Sequence, residues 1–472
     1  MAPAPCADPS QTPSRSLGDE LRQLLRLGLP IVLVQLGTTS LNLVDVALLG
    51  WHDRGSLPAM SLGNTLSWVA VMFCFGVVTA LDPLLSQAIG AKDHAVVPRL
   101  LARGLALSVG LSLPAALLLL PAATWLRWTG QPEALIEPAA TYARWQTLAI
   151  LPLLAYSVLR SLLSAQARLG PQVATIVLGN LANLLLDWLL IFGHGGLPEL
   201  GVTGAAIATV SCRWLMLAGL VVFGWRDLGP ALRQLADPAL RRAALAFAPL
   251  WRLLRLGAPV GLQFLLEMGV FSTTAILIGA LDRDHGDGHG PGLGGHAITL
   301  QLASLSFMVP LGIGMAASVR VGWAVGRGDP AATRRAATVA LFTGAAVMTG
   351  FMLVFLLGAE PLAACFTDHP ETLAMAMLLI PIAGVFQIGD GVQVVSIGCL
   401  RGLGDMRTPV LANVVGYWLL GLPLGCALAY GAGLGAAGLW WGLTAGLFAV
   451  ACGLVGVLRV RLTTLRPRLR VD

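Results

Sequence analysis

Apolar residues run along this chain in twelve stretches of about 20 residues, without the period-two alternation of a half-buried strand. They fall at roughly 28–50, 61–82, 100–122, 138–159, 172–193 and 202–224, then 256–280, 296–318, 336–358, 373–398, 409–430 and 435–457. A helix of such length crosses the ~30 Å hydrocarbon core of a bilayer. Lipid offers no partner to an unpaired peptide group, so continuous runs predict spanning helices rather than the short alternating strands of a barrel. The predicted class is an all-α integral membrane protein with twelve transmembrane helices.

The pattern repeats. Residues 25–33 read LRLGLPIVL and residues 254–262 read LRLGAPVGL, 229 positions later in a chain of 472. Gly90-Ala91-Lys92-Asp93 and Gly326-Arg327-Gly328-Asp329 both follow the second run of their half. Two six-helix lobes in parallel orientation, related by an axis normal to the membrane, are therefore expected. Their boundaries read as 1–225 and 253–472. A basic cytoplasmic linker, 226–252, joins them, and its Arg/Leu/Ala spacing suggests a surface amphipathic helix.

Composition supports the membrane assignment: 56% of residues are hydrophobic and only 11% charged, which no soluble domain of this size needs. Basic residues fix the orientation. The N-terminus, the even-to-odd connections and the C-terminal tail hold 25 of the 30, whereas the opposite side holds Arg54, Arg127 and Arg283. The positive-inside rule puts both termini in the cytoplasm. The net charge of +6 then reflects topology, and nucleic-acid binding is excluded as a function class. No cleavable signal peptide is evident. The seven cysteines form no CxxC pair and imply neither disulfide nor metal framework. The external loop 282–296 carries Asp282, Asp284, His285, Asp287, His289 and His296. Its ligand spacing is irregular and its glycines are many, so it reads as a solvated loop.

Chemistry concentrates in acids buried within the runs, where a charge costs at least about 2.5–3.5 kcal/mol. In the first half, Gln35, Asn42 and Asp45 follow one stripe of the first helix, and Asn180, Asn183 and Asp187 one face of the fifth. Asp45 and Asp187 stand at equal depth. Two carboxylates in a low dielectric suit a shared proton; with oxygen ligands beside them they suit Na⁺ equally. In the second half, Glu267 has Gln263 one turn before it, and Asp390 has Gln387 and Gln393 one turn either side. This pair suits a dehydrated cation. Both sets also suit structural polar networks between helices. Arg213, mid-span in the sixth helix, needs a partner that the sequence does not name.

Several segments resemble the multidrug and toxic compound extrusion family, above all its NorM-like bacterial branch. They are Leu43-Val44-Asp45, Phe264-Leu265-Leu266-Glu267, Gly389-Asp390-Gly391-Val392-Gln393, Leu400-Arg401-Gly402-Leu403-Gly404-Asp405 and Tyr417-Trp418-Leu419-Leu420-Gly421-Leu422-Pro423. The resemblance implies a secondary antiporter of the bacterial inner membrane that exports organic cations by alternating access in exchange for Na⁺ or H⁺. It implies no other cofactor, no enzymatic step and a monomer. It assigns Asp45, Asn183 and Asp187 to an N-lobe site, and Glu267 and Asp390 to a C-lobe cation site. One position departs from it. NorM-like members often carry tyrosine four residues before the tenth-helix acid, where this chain has Phe386, which weakens the case for Na⁺ there. A lipid or lipid-precursor flippase is the alternative within transport. Such proteins tend toward basic central cavities, while the deep charges here are mainly acidic. An intramembrane enzyme would need a nucleophile–base pair or metal ligands inside the runs, and the histidines lie almost wholly outside them.

Overall fold

The computed structural model describes residues 16–52, 56–282, 290–464 and 468–469. Twelve helices are long and apolar enough to cross a membrane: α1 Leu17–His52, α2 Ser56–Gly90, α3 Val96–Leu119, α4 Glu133–Ala165, α5 Gly170–Phe192, α6 Gly201–Phe223, α7 Phe247–Leu281, α8 Pro291–Arg327, α9 Pro330–Leu357, α10 Pro370–Gly402, α11 Thr408–Gly431 and α12 Gly435–Thr463. No strand occurs among the described residues. Eight helices contain their expected run whole and several extend well past it; α3, α5, α6 and α9 stop one to three residues short of the run's end. Hydropathy marks the lipid-facing middle of a helix, whereas backbone hydrogen bonding continues into polar ends such as Asp19–Glu20 of α1 and Arg320–Arg327 of α8.

Helix ends follow local chemistry. Pro171, Pro291, Pro330 and Pro370 stand in the first turn of their helices, where proline's missing N–H costs nothing. Gly193 (φ 72°) and Gly328 (φ 68°) close α5 and α8 in the left-handed conformation. Asp329 caps α9 by accepting from Ala332 N–H at 2.9 Å. Within α11, Val414–Gly421 and Ala427–Gly431 are π-helical. There Gly421 and Gly425 lie directly against Gly442 and Gly446 of α12, too close to admit a Cβ on Gly442.

The chain forms two compact units. A C-terminal unit holds Met1–Val32 with Leu262–Arg468, and an N-terminal unit holds Leu33–Gly261 with Leu469–Asp472. Both exchanges fall at the ends of the repeated motifs, just after Pro30 in α1 and Pro259 in α7. The sequence-based lobe limits at 225 and 253 lie elsewhere, because each motif packs with the other half's second helix. In the C-terminal unit Val32 of α1 abuts Gly312 of α8; in the N-terminal unit Gly257 and Gly261 of α7 abut Val77 and Phe73 of α2. The expected single linker helix is two short ones, Trp225–Gln234 and Pro238–Ala244. Asp237 separates them, capping the second through Ala239 N–H at 2.9 Å. α7 then starts at Phe247, so Arg252 and Arg255 belong to it.

Candidate functional site

In the N-terminal unit, Asp45 of α1 is 3% exposed, Asp187 of α5 is fully buried, and Asn183 lies one turn before Asp187. Asn183 Nδ2 donates to Asp45 Oδ1 at 3.1 Å, and Thr209 Oγ1 of α6 donates to Asp45 Oδ2 at 3.0 Å. Both oxygens of Asp45 are thus held by neutral donors from two other helices. The Asp187 carboxyl lies beside that of Asp45 and near the Asn183 amide, yet among the described residues neither of its oxygens is met at full hydrogen-bond geometry, and Asn183 Oδ1 is equally unmatched. Two carboxylates offer only acceptors to one another. A single proton on Asp187 changes this: it supplies a donor for an Asp45 oxygen or for Asn183 Oδ1. The donor count therefore suits one proton shared by the pair. Arg213, one turn past Thr209 on α6, sits over the Trp68 ring at 5.8 Å and within electrostatic reach of Asp45 and Tyr142.

In the C-terminal unit a single oxygen, Glu267 Oε1, accepts three amide donors: Asn413 Nδ2 at 2.7 Å, Gln393 Nε2 at 3.0 Å and Gln263 Nε2 at 3.1 Å. Two of the three donors are fixed from behind. Tyr417 Oη donates to Gln393 Oε1 at 2.8 Å, and Arg401 Nη2 donates to Gln263 Oε1 at 3.0 Å. Such charge-assisted bonds make Glu267 the centre of a network over α7, α10 and α11. Asp390 is near enough to feel the charge of Glu267, but among the described residues the two share no hydrogen-bond partner. Phe386 offers no hydroxyl, and its ring packs edge-on to Phe271 at 6.2 Å; Phe271 in turn meets Tyr417 at 6.4 Å. The hydroxyl of this site comes instead from α11.

Several expected site residues point elsewhere. At 3.6 residues per turn, Asn42 is rotated about 60° from Asp45. It is exposed and accepts from Asn64 at 3.1 Å. Gln35 accepts from Arg160 of α4 at 3.1 Å. Asn180 donates to the backbone carbonyls of Gly37 and Ile176 at 3.0 and 2.8 Å, pinning α5 to α1. Gln387 donates to Ser306 of α8 at 2.6 Å, not toward Asp390. The arginine–glutamine pairs Arg160–Gln35 and Arg401–Gln263 make matching clasps, one in each unit. In the loop 282–296, positions 283–289 lie outside the described residues. Asp282 accepts from Leu293 N–H at 2.7 Å and so caps α8, while His296 is buried beside Trp440 at 5.7 Å. Among the described residues no group of three His, Cys, Asp or Glu could hold a metal.

Sequence reasoning gave no site role to Thr209, Asn413, Tyr417 or Arg401, although Tyr417 and Arg401 lie in the family-like segments. Each acts across helices, so same-helix spacing carries no sign of it.

The MatE family profile matches residues 30–189 and again 259–426, the two matches opening at Pro30 and Pro259 of the repeated motif. This chain belongs to the MatE family. Among its relatives, the probable multidrug resistance protein NorM of Bradyrhizobium diazoefficiens is 36% identical over 470 residues, covering 97% of this chain and 96% of that one. The Mesorhizobium japonicum protein of the same name is 34% identical over 457 residues, covering 94% of each. The multidrug resistance protein NorM of Burkholderia vietnamiensis is 36% identical over 433 residues, 90% of this chain and 91% of that one. The fold is that of solved MATE structures. The eukaryotic transporter AtDTX14 superposes with TM-score 0.83 at 22% identity, covering 95% of this chain and 99% of that one. An outward-facing multidrug resistance MATE transporter superposes with TM-score 0.83 at 18% identity, covering 97% and 100%. With twelve apolar helices and bacterial NorM relatives, this MatE chain is a multi-pass inner-membrane protein.

Proposed function

We propose that this MatE-family protein is a multidrug efflux antiporter that exports organic cations by alternating access, in exchange for H⁺ or Na⁺, with both termini cytoplasmic. It carries solute without covalent chemistry, as the names of its relatives suggest for theirs. The observation that carries this reading is the pair of carboxyl centres set within the spans, one in each unit: Asp45 and Asp187 are buried, Glu267 and Asp390 partly buried. Asp45 and Glu267 stand on the opening helix of their halves, each gripped by neutral donors from other helices. A carboxylate kept charged in this way is costly unless a cation or proton visits it.

The two centres support different ligands. Asp45–Asp187 is short of donors and suits a proton. Glu267 has donors in surplus at Oε1, so a cation there would have to approach from Oε2 and Asp390. We assign the coupling proton to the first, and the coupling cation or a second proton to the second. Dye efflux by everted membrane vesicles, with Na⁺ and pH gradients imposed separately, tests the assignment. A proton gradient alone should drive efflux, and Asp45→Asn should abolish the response. Efflux indifferent to both gradients would refute antiport.

A further inference from the structure

Arg213 behaves unlike Arg320, another arginine placed deep in the described residues. Arg320 is locked: its Nε and Nη2 grip Glu20 Oε1 and Oε2 at 2.9 and 2.8 Å, both residues being buried. Arg213 carries no hydrogen bond to another described residue. Its guanidinium is held by the face of Trp68 at 5.8 Å and by the charge of Asp45 nearby. Asp45 meanwhile spends its oxygens on Asn183 and Thr209. A fork of five donors beside a carboxylate normally makes a bidentate pair; here it lies over the ring of Trp68, on α2. Charge and a ring face, with no directional bond, form a soft attachment.

A flat cation on an indole face, with a carboxylate alongside, is also what an aromatic organic cation would seek. We propose that Arg213 is a tethered stand-in for the exported cation. It takes the place on the Trp68 face, within electrostatic reach of Asp45, that the substrate would take, and sets which substrates enter by requiring them to displace it. This deepens the cation-export reading and rests on it. With Asp187 protonated, Asp45 and Arg213 cancel, so the empty site is electrically neutral and does not draw small inorganic cations indiscriminately. A substrate must offer both positive charge and a ring to stack, or it gains nothing over the arginine already there. Selectivity for planar aromatic cations over simple alkylammonium ions follows from that exchange.

The test uses the full-length protein in detergent at mildly alkaline pH, with ethidium as probe and a thermal melt to establish folding. Arg213→Ala should bind ethidium about tenfold more tightly than wild type, equivalent to about 1.4 kcal/mol. Millimolar guanidinium chloride should refill the vacated place and return the affinity toward the wild-type value, while equimolar sodium chloride should not. Arg213→Lys, which keeps the charge but loses the flat fork, should fall between the two. Should the alanine variant fail to fold, the lysine variant carries the test alone. If wild type binds ethidium and the folded variants bind no tighter, the stand-in role is overturned and cation export stands. If neither wild type nor variants bind ethidium at all, both are overturned.

Discussion

At the scale of single residues, the C-terminal centre depends on donors aimed at one atom. Asn413 makes the shortest of the three bonds to Glu267 Oε1, at 2.7 Å, and stands where α11 passes into its π-helical stretch. Asn413→Ala removes that donor from a partly buried carboxylate, a loss of about 1.5–3 kcal/mol for a charge-assisted bond. The melting temperature should fall, and ion-driven efflux should fall more than tenfold, because the carboxylate is re-aimed as well as less well held. A variant with normal efflux would show that Gln263 and Gln393 suffice. Asp405, in the connection before α11, offers a cleaner electrostatic reading. Partial burial pushes its carboxyl up. The Thr408 N–H and hydroxyl at 3.0 and 2.8 Å and the Arg461 guanidinium at 2.8 Å outweigh that and hold it below the usual carboxylate range. A depressed acid stabilises the fold above its unfolded pKa of about 3.9, and that contribution disappears as pH falls through the depressed value. Asp405→Asn should thus lower stability by about 1 kcal/mol at neutral pH. The gap to wild type should close in thermal melts taken below about pH 4; a gap constant with pH would mean that shape, not charge, matters at Asp405.

At the scale of elements, the twelve runs were legible because bilayer thickness imposes one length on every span. The repeat was legible because duplicated segments keep their register. The acids within the spans were legible too, since Asp45, Asp187, Glu267 and Asp390 stand out in apolar surroundings. Their partners were not. Spacing along one helix locates a face but not the helix opposite, so Thr209, Asn413 and Tyr417 stayed hidden while Asn42 and Gln387 looked like partners. The exchange of α1 and α7 between the units was equally hidden, although the motif marks the spot. The two copies are not interchangeable in packing. A Cβ on Gly257 would lie 2.5 Å from the Val77 carbonyl oxygen, whereas one on Gly28 would meet Ala316 Cβ at 3.8 Å, an ordinary contact. Backbone cannot step aside, so Gly257→Ala should cost about 1–3 kcal/mol by overpacking. Gly28→Ala should be neutral or gain roughly 0.5–1 kcal/mol from the stiffer helix backbone. Thermal melts of the two variants decide it. Equal shifts would mean that α7 does not approach α2 as closely as described.

At the scale of the whole molecule, the question is whether two acid centres serve one cycle or two. Each has its own carboxyl and its own donors, although the repeat register sets Thr274, not Glu267, opposite Asp45. If transport is a single alternating-access cycle, every turnover must discharge both centres, and disabling either stops the same cycle. Asp45→Asn and Glu267→Gln should then each reduce ion-driven efflux severely, and the double variant should be scarcely worse than the poorer single. Groups that act as one unit show this non-additivity in mutant kinetics. Two independent routes predict the opposite: each single variant keeps the other's share, and only the double variant is inactive. Initial efflux rates in everted vesicles, normalised to the amount of folded protein, separate the cases. Substantial activity in both single variants, abolished only in the double, would mean that the units carry ions separately. The shared-cycle account would then give way to two parallel half-transporters in one chain.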